Sequence, residues 1–140
     1  MKMISRFGLG LLLSSSVLSA HAEDVKIGMI TTLSGGGSHL GVDVRDGFML
    51  ALEQSGRDDV EVLIQDDANR PDLARSLANE FMQRDEVDIM TGIIWSNLAM
   101  AVVPSVTRQG TFYLSPNAGP SDLAGRMCHE NYFNVAYQND

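Results

Sequence analysis

Four short polar segments of this sequence each follow an apolar run, and they are where the chain could do chemistry. Residues 34–38 are Ser-Gly-Gly-Gly-Ser, residues 66–67 are Asp-Asp, residues 96–97 are Ser-Asn, and residues 115–121 are Ser-Pro-Asn-Ala-Gly-Pro-Ser. Glycines leave backbone N–H groups approachable, and a hydroxyl with free N–H groups at a helix start can hold an anion. The pattern indicates ligand contact through neutral hydrogen-bond donors.

A dinucleotide site is the first enzymatic alternative for a glycine loop after a strand. It requires the spacing G-x-G-x-x-G. Counting from Gly35, Gly37 fits the second position, but Leu40 stands in the third and Gly41 comes one residue late. No Gly-Lys-Ser/Thr follows the glycines, so a Walker phosphate loop does not fit either.

Hydrolytic and metal chemistry also lack their usual signatures. His39 and His129 could serve a serine hydrolase, but the sequence has no G-x-S-x-G. These two histidines also lack the spacing of metal ligands, which disfavours zinc. Asp66 and Asp67 could bind a cation or a phosphoryl group, although a strand-end position, solvated or capping the next turn, fits them better. We assign no residue to catalysis and expect no cofactor and no metal.

The polar segments must be positioned by alternating strands and helices. Apolar runs predict strands at residues 25–30, 60–64, 87–94 and 111–114. Three helical patterns lie between these strands. The first ends at Gly56 and contains Gly47, where we expect close packing, and the second begins at Pro71. The third covers residues 98–109, with Ser96 or Asn97 as N-cap. Residues 122–140 show no periodicity.

This alternation predicts an α/β fold, an open parallel sheet with helices on both faces. Such sheets bind ligands beyond the carboxyl ends of their strands, and each polar segment here follows a strand. The loops at residues 34–38 and 115–121 are therefore expected to open at the same edge as Ser96 and Asn97.

The N-terminus has the composition of a secretory signal peptide. Lys2 and Arg6 precede an apolar run at residues 7–13, and Ala20-His21-Ala22 resembles a cleavage site. We expect residues 1–22 to be removed, so that the mature, exported chain begins at Glu23.

The net charge of the chain argues against a nucleic-acid partner. Residues 1–22 contain two basic residues and no acidic one, so their removal takes the formal net charge from −8 to −10. Nucleic-acid binding rewards clustered Lys and Arg, and no basic stripe is present. We expect no nucleic-acid partner.

Three motifs carry a resemblance to a known family. These are residues 33–35, Leu-Ser-Gly, followed by Gly41 and a helix; residues 92–96, Gly-Ile-Ile-Trp-Ser, leading into a helix; and residues 113–118, Tyr-Leu-Ser-Pro-Asn-Ala. Together they resemble the N-terminal lobe of type I periplasmic solute-binding proteins, more narrowly the branched-chain amino acid group of ABC transporters. Members are longer and have two lobes, so residues 23–140 are similar to a truncated first lobe.

The resemblance also implies a binding site. In the family a ligand carboxylate is held by hydroxyls and amides after the third and fourth strands, and the first loop contributes a side chain near the ligand. Trp95 could face an aromatic ring, or could pack in the core or hinge. The residues so implied are Ser38, Leu40, Trp95, Ser96, Asn97, Asn117, Ala118 and Gly119.

The resemblance further implies a function. The protein would be an extracytoplasmic receptor that captures a small carboxylate, an amino acid or an aromatic acid, and presents it to the membrane permease of an ABC transporter. Residues 115–121 are similar to members that take aromatic acids, and Ala118-Gly119-Pro120 lacks the hydroxyl that amino acid binders often carry there. The alternatives are a sensory domain of the same fold and an exported α/β enzyme.

Overall fold

The computed structural model describes residues 24–138, so the predicted signal peptide lies outside the described residues. Within them, strands alternate with helices along the chain. The elements are β1 (Val25–Thr31), α1 (Ser38–Ser55), β2 (Val60–Asp66), α2 (Pro71–Gln83), β3 (Ile89–Thr91), α3 (Ser96–Arg108), β4 (Phe112–Ser115), α4 (Ser121–Ala124) and β5 (Tyr132–Asn134).

The strands form one parallel sheet in the order β2-β1-β3-β4-β5. This confirms the predicted open parallel α/β sheet. Residues 122–138, which follow the last predicted strand and show no periodicity, contain most of α4 and the strand β5. The strand β5 has only three residues and is defined by its pairing with β4, in which Phe133 lies opposite Leu114.

Helices cover both faces of the sheet, as predicted. A Cβ on Gly28 would lie 2.5 Å from the ring of Phe81, so α2 packs closely on one face of β1. A Cβ on Gly41 would lie 2.8 Å from the Thr31 hydroxyl, and residues 28 and 31 point to opposite faces of a strand. Helix α1 therefore covers the other face. The core holds Ile30, Ala74, Leu77, Phe81, Met90, Ile93, Leu98, Val102, Val106 and Tyr113, among others.

The ends of the helices follow the predicted signals in most places. Gly56 ends α1 in the left-handed conformation, and Pro71 is the first residue of α2. The predicted close packing at Gly47 is wrong, because a Cβ there would have nothing within 4 Å. The third strand is shorter than predicted, since the chain turns at Gly92, whose φ of 107° favours glycine.

One face of the sheet leaves aromatic side chains open to solvent at β4 and β5. Phe112 and Phe133 are 47% and 51% exposed, and their ring centroids lie 6.2 Å apart. Tyr113, the next residue along β4, points to the opposite face and is buried. Within residues 24–138, no helix is both long and apolar enough to cross a membrane.

Candidate ligand-binding site

The loops that follow β1, β3 and β4 are neighbours at one edge of the sheet. All five strands are parallel, so their carboxyl ends share that edge, and the order β1-β3-β4 places the loop after β3 between the other two. This brings the predicted residues of three separate segments to one place. It is the position at which open parallel sheets bind ligands.

Trp95 links the loop after β3 to the loop after β1. Its indole Nε1–H donates a hydrogen bond to the Thr32 hydroxyl at 3.0 Å. A Cβ on Gly37 would lie 2.5 Å from Cζ2 of the indole, so the ring packs directly on the glycine loop. Trp95 is half-buried. The side chain thus forms a wall beside the first turn of α1.

Ser96 and Asn97 begin α3 but do not cap it. The N-cap is Trp95, with φ −103° and ψ 131° and no side-chain cap, so the predicted N-cap at Ser96 or Asn97 is wrong. The first helical hydrogen bond runs from the Ala99 N–H to the Trp95 carbonyl at 2.9 Å. The backbone N–H groups of residues 96–98 therefore lie at the start of the helix, where its dipole favours an anion.

Asn117 ties the loop after β4 to the loop after β3, because its Nδ2–H donates to the Ile94 carbonyl at 2.9 Å. Ala118 is buried in the core, and its carbonyl accepts hydrogen bonds from the hydroxyls of Ser115 and Tyr132. A Cβ on Gly119 would lie 2.3 Å from the Tyr137 carbonyl oxygen. The loop is therefore fixed on both sides, and Ala118 has almost no exposed surface.

Ser38 and Leu40 lie in the first turn of α1. Their N–H groups donate to the carbonyls of Gly35 and Gly37 at 3.4 Å and 3.1 Å, and Leu40 is 39% exposed. Ser38 follows Gly37 directly in sequence, and Gly37 is the residue on which the Trp95 ring packs. The first turn is separated from Asn117 by the strand β3, so Trp95 stands between the two halves of the predicted site.

Sequence reasoning missed Thr32 as a residue of this edge. Its hydroxyl accepts from Trp95 and donates to Asp67 Oδ1 at 2.6 Å. The two partners are 63 and 35 residues away in sequence, so no local pattern could reveal the contact. The sequence offers only a weak signal for this contact. Thr32 directly follows β1, and the acidic pair Asp66 and Asp67 lies at the end of the neighbouring strand β2.

Asp66 and Asp67 cap the turn after β2, which confirms one of the two predicted alternatives. Asp66 Oδ1 accepts from the Ala68 N–H at 2.8 Å, and Asp67 Oδ1 accepts from the Asn69 N–H at 2.8 Å. Asp66 Oδ1 also accepts from the Leu33 N–H at 2.8 Å and so holds the start of the glycine loop. Asp67 is fully buried, and its Oδ2 has no hydrogen-bond partner among the described residues.

The two carboxyl groups differ in their pKa. Burial raises the pKa of Asp67 above the ordinary 3.8, against the opposing effect of the Thr32 hydroxyl. Desolvation disfavours the charged form of Asp66 as well, but hydrogen bonds from Ser34, Leu33 and Ala68 outweigh it and lower the pKa of that group. Asp66 is therefore the fixed negative charge of this edge.

The edge has little positive charge to offer an anion. Among the described loops that follow the strands, Arg70 is the one basic residue, and its guanidinium pairs with Asp72 at 2.6 Å. No group of three or more His, Cys, Asp or Glu in residues 24–138 could hold a metal ion. A concavity of about 440 Å³ lies elsewhere, along the side of α1 near Met49 and Glu53.

Comparison with known proteins decides the family. Residues 24–140 match the family described as "Periplasmic binding protein". The chain belongs to this family. The periplasmic binding protein fold is also that of the solved structures to which the chain is similar. The ABC transporter substrate-binding protein from Sphaerobacter thermophilus is 31% identical with a TM-score of 0.79, over 82% of this chain and 33% of that one.

Two further proteins are similar to this chain. A solute-binding protein of an ABC transporter from R. palustris, solved in complex with benzoate, is 27% identical with a TM-score of 0.76, over 81% of this chain and 33% of that one. The Leu/Ile/Val-binding protein homolog 3 of Brucella melitensis is 28% identical over 82% of this chain and 32% of that protein. The chain thus spans about a third of the length of these relatives.

Proposed function

We propose that this chain forms part of the N-terminal lobe of an extracytoplasmic receptor that captures a small carboxylate for an ABC importer. The observation that carries the proposal is the convergence of three loops at one sheet edge, joined by the Trp95–Thr32 and Asn117–Ile94 hydrogen bonds. The joined loops hold their polar groups in place before a ligand arrives, which lowers the entropy lost on binding.

The carboxylate is held by neutral donors in this proposal. Arg70 is paired with Asp72, and the groups proposed to bind the anion are the Ser96 hydroxyl, the Asn97 amide and the N–H groups at the start of α3, with the backbone around Ala118 beside them. Hydrogen bonds to a charged group are worth about 1.5–3 kcal/mol each. Two or three such bonds are enough for a receptor that must later release its ligand.

The ligand body lies against Trp95 and the first turn of α1, where Ser38 and Leu40 contribute. A flat aromatic acid fits an indole wall, and the R. palustris relative was solved with benzoate. The Brucella melitensis relative is named for leucine, isoleucine and valine, so a branched aliphatic amino acid is the second candidate.

Capture on this lobe is followed by closure of a second lobe and docking of the closed form on a membrane permease. The chain covers about a third of its relatives, and the second lobe is part of the proposal. Residues 1–22 act as the signal peptide that delivers the receptor to the periplasm. The family consists of binding proteins, and no catalytic step is proposed.

A thermal-shift screen of the complete gene product tests this function. Benzoate, 4-hydroxybenzoate and isoleucine are compared with the corresponding amides, because a bound ligand raises the melting temperature by mass action. We expect at least one acid to raise it and its amide to fail. Equal shifts by acid and amide would contradict the anion site.

The variant Ser96→Ala locates the carboxylate. Calorimetric titration with the acid found in the screen should show roughly tenfold to a hundredfold weaker binding, from the loss of one charge-assisted hydrogen bond. Ser105→Ala, in the same helix about 13 Å further on, is the matched control and should bind as the parent does. Normal binding by Ser96→Ala would show that the Ser96 hydroxyl does not hold the carboxylate.

A further inference from the structure

Two fully buried polar side chains lie behind Trp95, outside the residues proposed to touch the ligand. Thr32 and Asp67 both have no exposed surface. They come from the ends of β1 and β2, and together with Trp95 they join the loops after three strands. Buried polar groups are costly unless they are hydrogen-bonded, so such a connected set is a specific feature of this edge.

The hydrogen bonds of this set run from the indole to Thr32 and on to Asp67. An indole N–H can only donate, so the Thr32 oxygen accepts from Trp95 at 3.0 Å. The Thr32 proton is then directed to Asp67 Oδ1 at 2.6 Å. Asp67 Oδ1 is itself fixed by the Asn69 N–H at 2.8 Å. The chain of hydrogen bonds therefore orients the indole ring from behind.

The glycine loop restrains the six-membered part of the same ring. The indole atoms Cζ2 and Cη2 would lie 2.5 Å and 3.0 Å from a Cβ on Gly37, so there is no room for the ring to move toward the loop. The ring is thus fixed at its nitrogen by Thr32 and at its outer edge by Gly37. Trp95 is only partly buried, so part of its surface remains open to solvent.

We propose that Thr32 and Asp67 are positioning residues that hold the Trp95 indole as a preformed wall of the ligand site, and that they thereby determine its preference for a planar ligand body. This rests on the proposed function for its ligand, but the placement of the ring exists without one. Asp67 acts through Thr32, and neither residue touches the ligand. A fixed ring favours a flat acid because stacking requires one defined orientation of the ring.

The first experiment observes the ring directly, in the complete gene product without ligand. Trp95 is the one tryptophan of these 140 residues, and its indole N–H signal in a ¹H–¹⁵N spectrum is assigned by its loss in Trp95→Phe. Thr32→Val removes the hydroxyl at nearly constant size and should move this signal and speed its exchange with solvent. Thr32→Ser keeps the hydroxyl and should restore the parent signal.

Asp67 is probed through the same signal. Asp67→Ala should also displace it, whereas Asp67→Asn keeps an oxygen that accepts from Thr32 and should leave it near the parent position. An indole signal that stays unchanged in Thr32→Val overturns the proposal. If Asp67→Ala does not fold, Thr32→Val and Thr32→Ser still decide the matter.

The second experiment measures binding by calorimetry, with benzoate as the planar probe and isoleucine as the non-planar one. Thr32→Val should weaken benzoate binding roughly tenfold or more and isoleucine binding less, and Thr32→Ser should bind as the parent does. A displaced indole signal with unchanged benzoate affinity overturns the role in recognition. If the parent binds neither probe, the proposed ligand class fails, while the indole signals still test the positioning.

Discussion

Replacing Gly37 by alanine tests how closely Trp95 packs on the glycine loop. Gly37 has a φ of 78°, where an alanine costs about 1–2 kcal/mol. Its new Cβ would lie 2.5 Å from Trp95 Cζ2, about 1 Å closer than carbon atoms pack comfortably. The ring must shift and strain or break its bond to Thr32, which adds about 1–3 kcal/mol.

Gly35 provides a matched control for this substitution. Its φ of 75° is almost the same, but a Cβ there would have nothing within 4 Å. Gly35→Ala should therefore cost only the backbone term of about 1–2 kcal/mol, and Gly37→Ala about 2–5 kcal/mol. The difference between the two variants isolates the contact with the indole.

Urea denaturation of the complete gene product, followed by circular dichroism, measures both free energies of unfolding. In a Trp95→Phe background the outer ring atoms are gone, so Gly37→Ala should then cost no more than Gly35→Ala. Equal losses for the two glycine variants in the parent protein would refute the packing of Trp95 on the loop.

Three further predictions follow from burial and charge. Gly41→Ala should destabilise by about 3 kcal/mol because its Cβ would lie 2.0 Å from a backbone oxygen, while Gly47→Ala, in the same helix with open space, should stabilise by about 1 kcal/mol; chemical denaturation compares them. Burial raises the pKa of Asp67 in the folded protein above 3.8, so its protonated form stabilises the fold below about pH 3.8 and this contribution is lost as the pH rises through the folded pKa; Asp67→Asn should therefore gain stability relative to the parent as the pH rises above about 4 in denaturation curves, and a constant difference would contradict this. Residues 23–140 alone should self-associate through the face of Phe112 and Phe133, and Phe112→Asp should reduce that association in sedimentation experiments; a monomeric fragment would refute it.

The parallel sheet could be predicted because local patterns encode it. Apolar runs predicted the bounds of β1 and β2 to within a residue or two. Pro71, with its rigid φ, predicted the start of α2, and Gly56, which takes a left-handed conformation, predicted the end of α1. The strand β5 was missed because three residues carry no usable periodicity, and its pairing with β4 depends on tertiary structure.

The site was less predictable, since its contacts join distant segments. The positions of residues 96–97 and 117–119 could be expected at the sheet edge, but not the role of Thr32, which bonds to residues 35 and 63 positions away. The start of α3 was misplaced because Trp95 takes the N-cap position without a capping side chain. Sequence signals for helix caps assume a hydrogen bond between the N-cap side chain and a nearby backbone N–H. The Trp95 side chain instead donates its hydrogen bond to Thr32, in the loop after β1.

The most direct test of the proposed function is a crystal structure of the complete gene product with the acid that raises its melting temperature most. The account predicts a carboxylate within hydrogen-bond distance of the start of α3, near Ser96 and the backbone around Ala118, with the ligand body against the Trp95 ring. A ligand bound along the outer side of α1, or a carboxylate paired with Arg70 in place of Asp72, would contradict it.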